Sequence, residues 1–183
     1  MHSYSARKLA DAFRVVRSNT IDLAEAIPES DYAFTAAPDT RSIAALLAHI
    51  ACVDVVPYAI HRGGITDLAQ LNFWEVLATA HAEEATPRTK AELIAMLRAR
   101  GEAFASWLEQ QPDAFLAEPV AMPPGATPAH KERFEMLMSA KEHEMHHRGQ
   151  LTMLARMRGV VPPLTQARRA RMPQQGAASS TTA

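Results

Sequence analysis

Five consecutive residues of the stretch KEHEMHHRGQ (141–150) hold three imidazoles, His143, His146 and His147. On a helix, residues four apart stand one turn above each other, so His143 and His147 can aim at one ion while His146 points elsewhere. A further imidazole, His49, lies in SIAALLAHIACVDVV among Leu46, Ile50, Cys52 and Val53, near the middle of an otherwise apolar helical face. Taken singly, each ring reads most simply as a packed core histidine. Together, three neutral imidazoles from two helices form a donor set suited to Zn, Ni or a related borderline cation, with coordination positions left for water or substrate. Burial favours the neutral rings, and a divalent cation would satisfy their lone pairs.

The neighbouring groups read as support rather than ligands. Glu142 and Glu144 flank His143, but adjacent helical positions diverge by about 100°, so both are expected to be solvated or to stand behind the ligands. Gln150 is placed to hydrogen-bond near the ion or to cap a loop, Arg148 to pair with an acid, and Gly149 to let a helix approach closely. Cys52, three residues after His49, reads as a small hydrophobe. His81 with Glu84 reads as a weak surface pair outside the site. Trp74, Trp107 and the methionines read as packing. No G-x-G-x-x-G, G-x-x-x-x-G-K-[ST] or G-x-S-x-G pattern occurs, which removes support for phosphate cradling and serine-hydrolase chemistry.

The elements that must carry these residues are helical. Ala, Leu, Met, Glu and Arg are abundant, and no alternation of period two is sustained, so the fold class is all-α. A first helix is predicted over residues 5–27, with Leu9, Phe13, Val16, Thr20 and Leu23 as its apolar stripe and Pro28 ending it. A second begins near Asp39 or Thr40 and carries His49 until Pro57 bends or stops it. A shorter stretch, 71–84, follows the Gly63-Gly64 break. Thr89 and Glu92 form a capping-box pattern that opens a third long helix to about Gln110. Residues 110–128 form an extended loop of the kind that crosses a site. Thr127 and Pro128 are expected to start the last long helix, which ends near Gly159. The outcome is a four-helix bundle over residues 1–160, with a short crossover helical segment. Residues 161–183, with prolines, arginines and then QQGAASSTTA, have little to bury and read as a disordered basic and Ser/Thr/Ala-rich tail.

A chain of 183 residues with 48% apolar content makes one domain and fills its core without disulfides, and the lone Cys52 fits a reducing compartment. Nineteen Lys plus Arg against twenty Asp plus Glu exert no general pull on nucleic acid. The basic segment after Glu144 is the sole lead in that direction. No run is read as a membrane span or a leader, so the chain is expected to be cytoplasmic, with no membrane and no nucleic-acid partner.

The histidine in SIAALLAHI, the pair in HEMHHRGQ and the following LTMLARMRG together resemble the DinB/YfiT-like metal-binding superfamily over about residues 5–160. HHRGQ is the specific part. The resemblance implies a four-helix bundle with a divalent metal on three histidines, which correspond to His49, His143 and His147, and commonly a homodimer. It also implies similarity to transferases or isomerases that use bacillithiol, mycothiol or glutathione. The first expectation is therefore a metal-dependent thiol transferase or isomerase, in which Zn or Ni activates a low-molecular-weight thiol against a small electrophilic substrate. The alternatives are a metal-dependent hydrolase and a nonenzymatic metal-binding stress-associated protein. The acid or base of either reaction is unassigned, with His146, Glu142 and Glu144 as candidates.

Overall fold

A computed structural model describes residues 4–172 of the chain. The first long helix, α1 (Ala6–Ala26), begins where the Ser5 hydroxyl accepts the Lys8 amide and buries Leu9, Phe13, Val16, Thr20 and Leu23, the stripe read from the sequence. Thr40 does not cap the second helix. Its hydroxyl closes a turn with Ala37, and α2 (Ile43–Ala51) is capped instead by Ser42, which accepts the Ala45 amide. A turn at residues 52–54 then interrupts the path before α3 (Val55–Pro57) and a π-helical turn, Tyr58–Arg62. Pro57 has no N–H to offer the Val53 carbonyl, so the break falls one turn ahead of it. The run Ile43–Arg62 is long and apolar enough to cross a membrane, contrary to the sequence reading, but it is interrupted, and 56% of its most apolar window is buried inside the fold.

The crossover segment is α4 (Phe73–Glu84), capped by Asn72. The predicted capping box of Thr89 and Glu92 opens α5 (Lys90–Glu109). The following stretch is not a plain loop: it holds α6 (Asp113–Leu116) and β1 (Pro119–Ala121), paired antiparallel with β2 (His130–Glu132). Because residues 130–132 are held in that ladder, the last long helix, α7 (Arg133–Met157), starts five residues after the cis Thr127–Pro128 bond and not at it. Gly159, with φ +79°, follows its C-terminus as expected.

Residues 163–171 depart from the disordered reading and form α8 (Pro163–Arg171). Pro163 at the first helical position has no amide of its own to leave unsatisfied, and Arg168, Arg169 and Arg171 lie in the last turn, at the negative end of the helix dipole. The helix buries none of its residues, in keeping with the composition that suggested disorder. The rest of the expected tail, 173–183, lies outside the described residues.

The molecule is all-α in its body: α1, the α2–α3 run, α5 and α7 form a four-helix bundle, with α4 as the bent crossover. Its core has two apolar parts. Ile21, Leu47, Leu97 and Leu151 belong to one, and Phe13, Phe104, Leu108 and Leu137 to the other. At the level between them, the Arg17 guanidinium meets the Glu144 carboxylate at 3.0 Å. The same group donates to the carbonyls of Leu97 at 2.8 Å and Ile50 at 3.2 Å, so one side chain joins α1, α2, α5 and α7. Gly101 on α5 makes room for it, since a Cβ there would stand 2.7 Å from Arg17 Cγ. The glycine expected to permit close approach, Gly149, has open space at that position.

Candidate metal centre

The buried Arg17–Glu144 pair lies beside the predicted ligands in sequence and in space. Glu144, 0% exposed, follows His143, and Ile50, whose carbonyl Arg17 holds, follows His49. This fixes the relative height of α2 and α7, the two helices that carry imidazole. Glu144 is thus neither solvated nor aimed at the cluster, which corrects one half of its sequence reading.

All three predicted ligands come together. Their Nε2 atoms lie 3.1 Å apart for His49 and His143, 3.2 Å for His49 and His147, and 3.1 Å for His143 and His147. Imidazole nitrogens about 2.0–2.1 Å from one ion at near-tetrahedral angles would be roughly 3.3 Å apart, so the observed triangle fits a common cation. The surrounding hydrogen bonds set the tautomers of two rings. His49 Nδ1 lies 2.8 Å from Glu84 Oε1, and His147 Nδ1 lies 2.8 Å from Gln150 Oε1. A carboxylate and an amide oxygen only accept, so each Nδ1 carries the proton and each Nε2 presents a lone pair to the centre. Two lone pairs facing each other at 3.2 Å repel unless a cation or proton sits between them. His143 Nδ1 is buried without a hydrogen-bond partner among the described residues.

Electrostatics keeps the rings ready to ligate. Burial, followed by the neighbouring His147 and His49, pushes the His143 pKa down to about 4. Burial also lowers that of His147, although the Gln150 hydrogen bond works in the opposite direction. Neutral imidazole is the ligating form.

Other sequence readings divide. Gln150 does stand beside the cluster. His146 is exposed, with its Nε2 3.2 Å from Gln150 Nε2 and no part in the triangle. Arg148 pairs with no acid among the described residues and donates to the Val16 carbonyl at 3.1 Å. Glu84, set aside with His81 as a surface pair, instead supports His49 from α4. Nothing in the local pattern of α4 announces a partner thirty-five residues away in sequence. Cys52 is buried, and desolvation raises its thiol pKa to about 11, so it behaves as the small hydrophobe expected. Its neighbour Asp54 meets Arg100 at 2.8 Å, and Arg100 also reaches Glu83 at 2.7 Å, which ties the turn after α2 to α4 and α5.

A cavity of about 430 Å³ opens at the cluster, with His49 and His143 in its wall beside Cys52, Val53, Val56 and Ala140. Glu84 and His81 border it from α4, and Met122 from the segment after β1, so the stretch between α5 and α7 does cross the site. Neither Glu142 nor His146, both candidates for proton transfer in the sequence, borders this cavity. Glu144, the third, is committed to Arg17.

Two solved structures share the architecture. A DinB-like protein of Bacillus subtilis, YjoA, matches with a TM-score of 0.61 and 22% identity, covering 84% of this chain and 94% of its own. YfiT from Bacillus subtilis, described as a probable metal-dependent hydrolase with an unusual four-helix bundle topology, matches with a TM-score of 0.65 and 13% identity, covering 88% and 91%. At these identities the likeness is one of fold. No curated protein matches the chain. The DinB family profile matches residues 1–178, nearly the whole sequence and all three histidines, so the chain belongs to the DinB family.

Proposed function

We propose that this protein is a divalent-metal-dependent hydrolase, acting on a small and largely apolar molecule next to His49, His143 and His147. The observation that carries the reading is the convergence of three Nε2 atoms, two of them with tautomers set by Glu84 and Gln150, beside a 430 Å³ cavity whose wall holds His49 and His143. The three nitrogens suit zinc or nickel. Such an ion supplies Lewis-acid polarisation of a carbonyl oxygen and makes water a nucleophile at neutral pH.

The chain's own groups do the rest. Glu84 holds the His49 ring in the ligating tautomer and, as a carboxylate on the cavity wall, is our assignment for receiving a proton from the attacking water. Val53, Val56, Pro57, Ile60 and Leu77 exclude solvent around the substrate's apolar body.

The description of YfiT supports hydrolysis over thiol transfer. A thiol transferase or isomerase must in addition seat a charged thiol cosubstrate, for which this predominantly apolar lining gives less support. A purely structural ion is expected in a closed shell, whereas His49 and His143 border a cavity.

The test is elemental analysis by plasma mass spectrometry on untagged protein purified without added metal, beside His49→Ala and His147→Ala. A panel of esters and amides is then assayed with and without zinc. About one divalent ion per chain, lost in both variants, with metal-dependent cleavage of at least one apolar ester or amide, is expected. Failure of the wild type to retain or take up any divalent ion would overturn the reading. Thiol conjugation of electrophiles without any hydrolysis would replace it with the transferase.

A further inference from the structure

The cavity extends well beyond the histidine triangle. On one side its wall follows α7 through Glu135, Met136, Ser139 and Ala140 to His143. On the other it follows the run from His49 through Val53, Pro57 and Ile60 to His61. His61 is joined to Arg133, ten residues before His143, which at 1.5 Å per residue is about 15 Å along the helix axis. His61 therefore marks the end of the cavity remote from the cluster.

The surroundings of His61 determine where its proton sits. Arg133 is 1% exposed, holds Glu118 Oε2 at 2.9 Å through Nε, and lies with its Cζ 4.7 Å from the centre of the Phe115 ring. Its Nη1 is 3.1 Å from His61 Nδ1. A guanidinium has no acceptor, so Nδ1 must offer its lone pair, and the proton of the neutral ring is on Nε2. Burial, then the charge of Arg133, pushes the His61 pKa down to about 4, so the ring is neutral at pH 7.

The Nε2–H has no hydrogen-bond acceptor among the described residues. Only His143 Nδ1 is both sealed from solvent and partnerless there, so His61 Nε2 is accessible on the cavity that His61 lines. Lys131 and Glu135, which border the same region, are paired with each other at 3.7 Å. His61 also sits in the π-helical turn Tyr58–Arg62, a form frequent at functional sites.

We propose that His61 is a substrate-positioning donor, its Nε2 proton held in place by Arg133, which selects molecules bearing a carbonyl or carboxylate oxygen at the end of an apolar body opposite the bond at the histidine cluster. The inference rests on the hydrolase reading, and it adds the shape of the substrate: elongated, apolar in the middle and polar at both ends. A neutral N–H donor gives an acceptor oxygen a partner and offers none to an ammonium group, which itself only donates.

The test uses the zinc-loaded full chain and two probes of equal length, a straight-chain alkyl hydroxamate and its analogue ending in a primary carboxamide. Their affinities for wild type, His61→Leu and His61→Gln are measured by calorimetry, with folding checked by circular dichroism. The preference for the carboxamide-ended probe should fall about tenfold in His61→Leu, the order of one net hydrogen bond. His61→Gln, which retains a donor, should recover part of it. The plain hydroxamate should bind all three alike.

Equal preference in wild type and His61→Leu overturns the proposal while leaving the hydrolase reading intact. Where neither hydroxamate binds, the metal reading fails first, and the anchor is judged separately by nitrogen-15 NMR of the metal-free wild type, which needs no variant to fold. There the His61 proton must be found on Nε2, and its resonance must move as an alkyl carboxamide is titrated in. A proton on Nδ1, or no movement, overturns the assignment.

Discussion

Replacing Arg17 by Met removes one charge from the middle of the bundle and leaves the other behind. Glu144 is 0% exposed, and both its oxygens face Arg17 at 3.0 Å, so the carboxylate loses its partner without gaining water. Breaking a buried pair from one side costs about 3–5 kcal/mol. For a domain of this length that corresponds to a Tm roughly 6–20 °C lower. Removing both charges has a different outcome, because Arg17→Met with Glu144→Leu leaves no stranded ion and is expected within about 1 kcal/mol of wild type, or above it. The assay is urea unfolding at pH 7 followed by far-ultraviolet circular dichroism on all four members of the cycle. A single Arg17→Met variant that loses under about 1 kcal/mol, a value typical of exposed pairs, would refute the claim that this pair is a desolvated tie between the helices that carry the imidazoles. The double variant also separates stability from positioning. It lacks the Arg17 bond to the Ile50 carbonyl, so zinc affinity should fall even where stability is recovered.

Three further outcomes are expected. Gly101→Ala should destabilise the fold by about 1–2 kcal/mol despite alanine's higher helix propensity, because its Cβ would meet Arg17 Cγ at 2.7 Å, whereas Gly149→Ala, facing open space, should stabilise it by about 0.5–1 kcal/mol; thermal unfolding reads both. Glu84→Gln should weaken zinc binding about 10–100-fold in competition with a chromophoric chelator, since it removes the charge of the acceptor that holds the His49 tautomer, and an unchanged affinity would exclude that role. Because the His61 pKa is lowered in the fold to about 4 and is about 6.5 when unfolded, the unfolded chain binds the extra proton between those values. Stability should therefore be flat above pH 6.5 with respect to this group, decline by up to about 1.4 kcal/mol per pH unit as pH falls toward 4, and decline less steeply in His61→Gln.

Much of this arrangement was legible in the chain, and the limits have physical causes. The stripe of α1, the capping box at Thr89, the end of α7 at Gly159 and the i, i+4 histidine pair all depend on neighbours within a few residues. The starts of α2 and α7 differ from the expectation because Asp39 or Thr40, and Thr127 with Pro128, are only local capping signals. In the structure, the Thr40 hydroxyl is spent on Ala37, and pairing of residues 119–121 with 130–132 holds the chain extended until Arg133. The helix at 163–171 buries nothing, so its sequence carries no apolar stripe to announce it. Glu144 departs from the solvated expectation for the opposite reason, since a carboxylate next to a histidine of the cluster gives no sign of an arginine more than a hundred residues earlier.

The sequence by itself determined an all-helical body, three imidazoles on apolar faces of two helices, and kinship with a family whose pattern runs through them. These follow from period, capping and residue type, which act over one or two turns. Only the tertiary structure decided that the three Nε2 atoms meet within 3.2 Å, that Glu84 and Gln150 direct two of the lone pairs inward, and that the cavity continues to a second histidine backed by Arg133. Each of those depends on the rotation and height of one helix against another. That geometry is set by core packing and by the buried charge pair of Arg17 and Glu144, whose partners no local pattern can name.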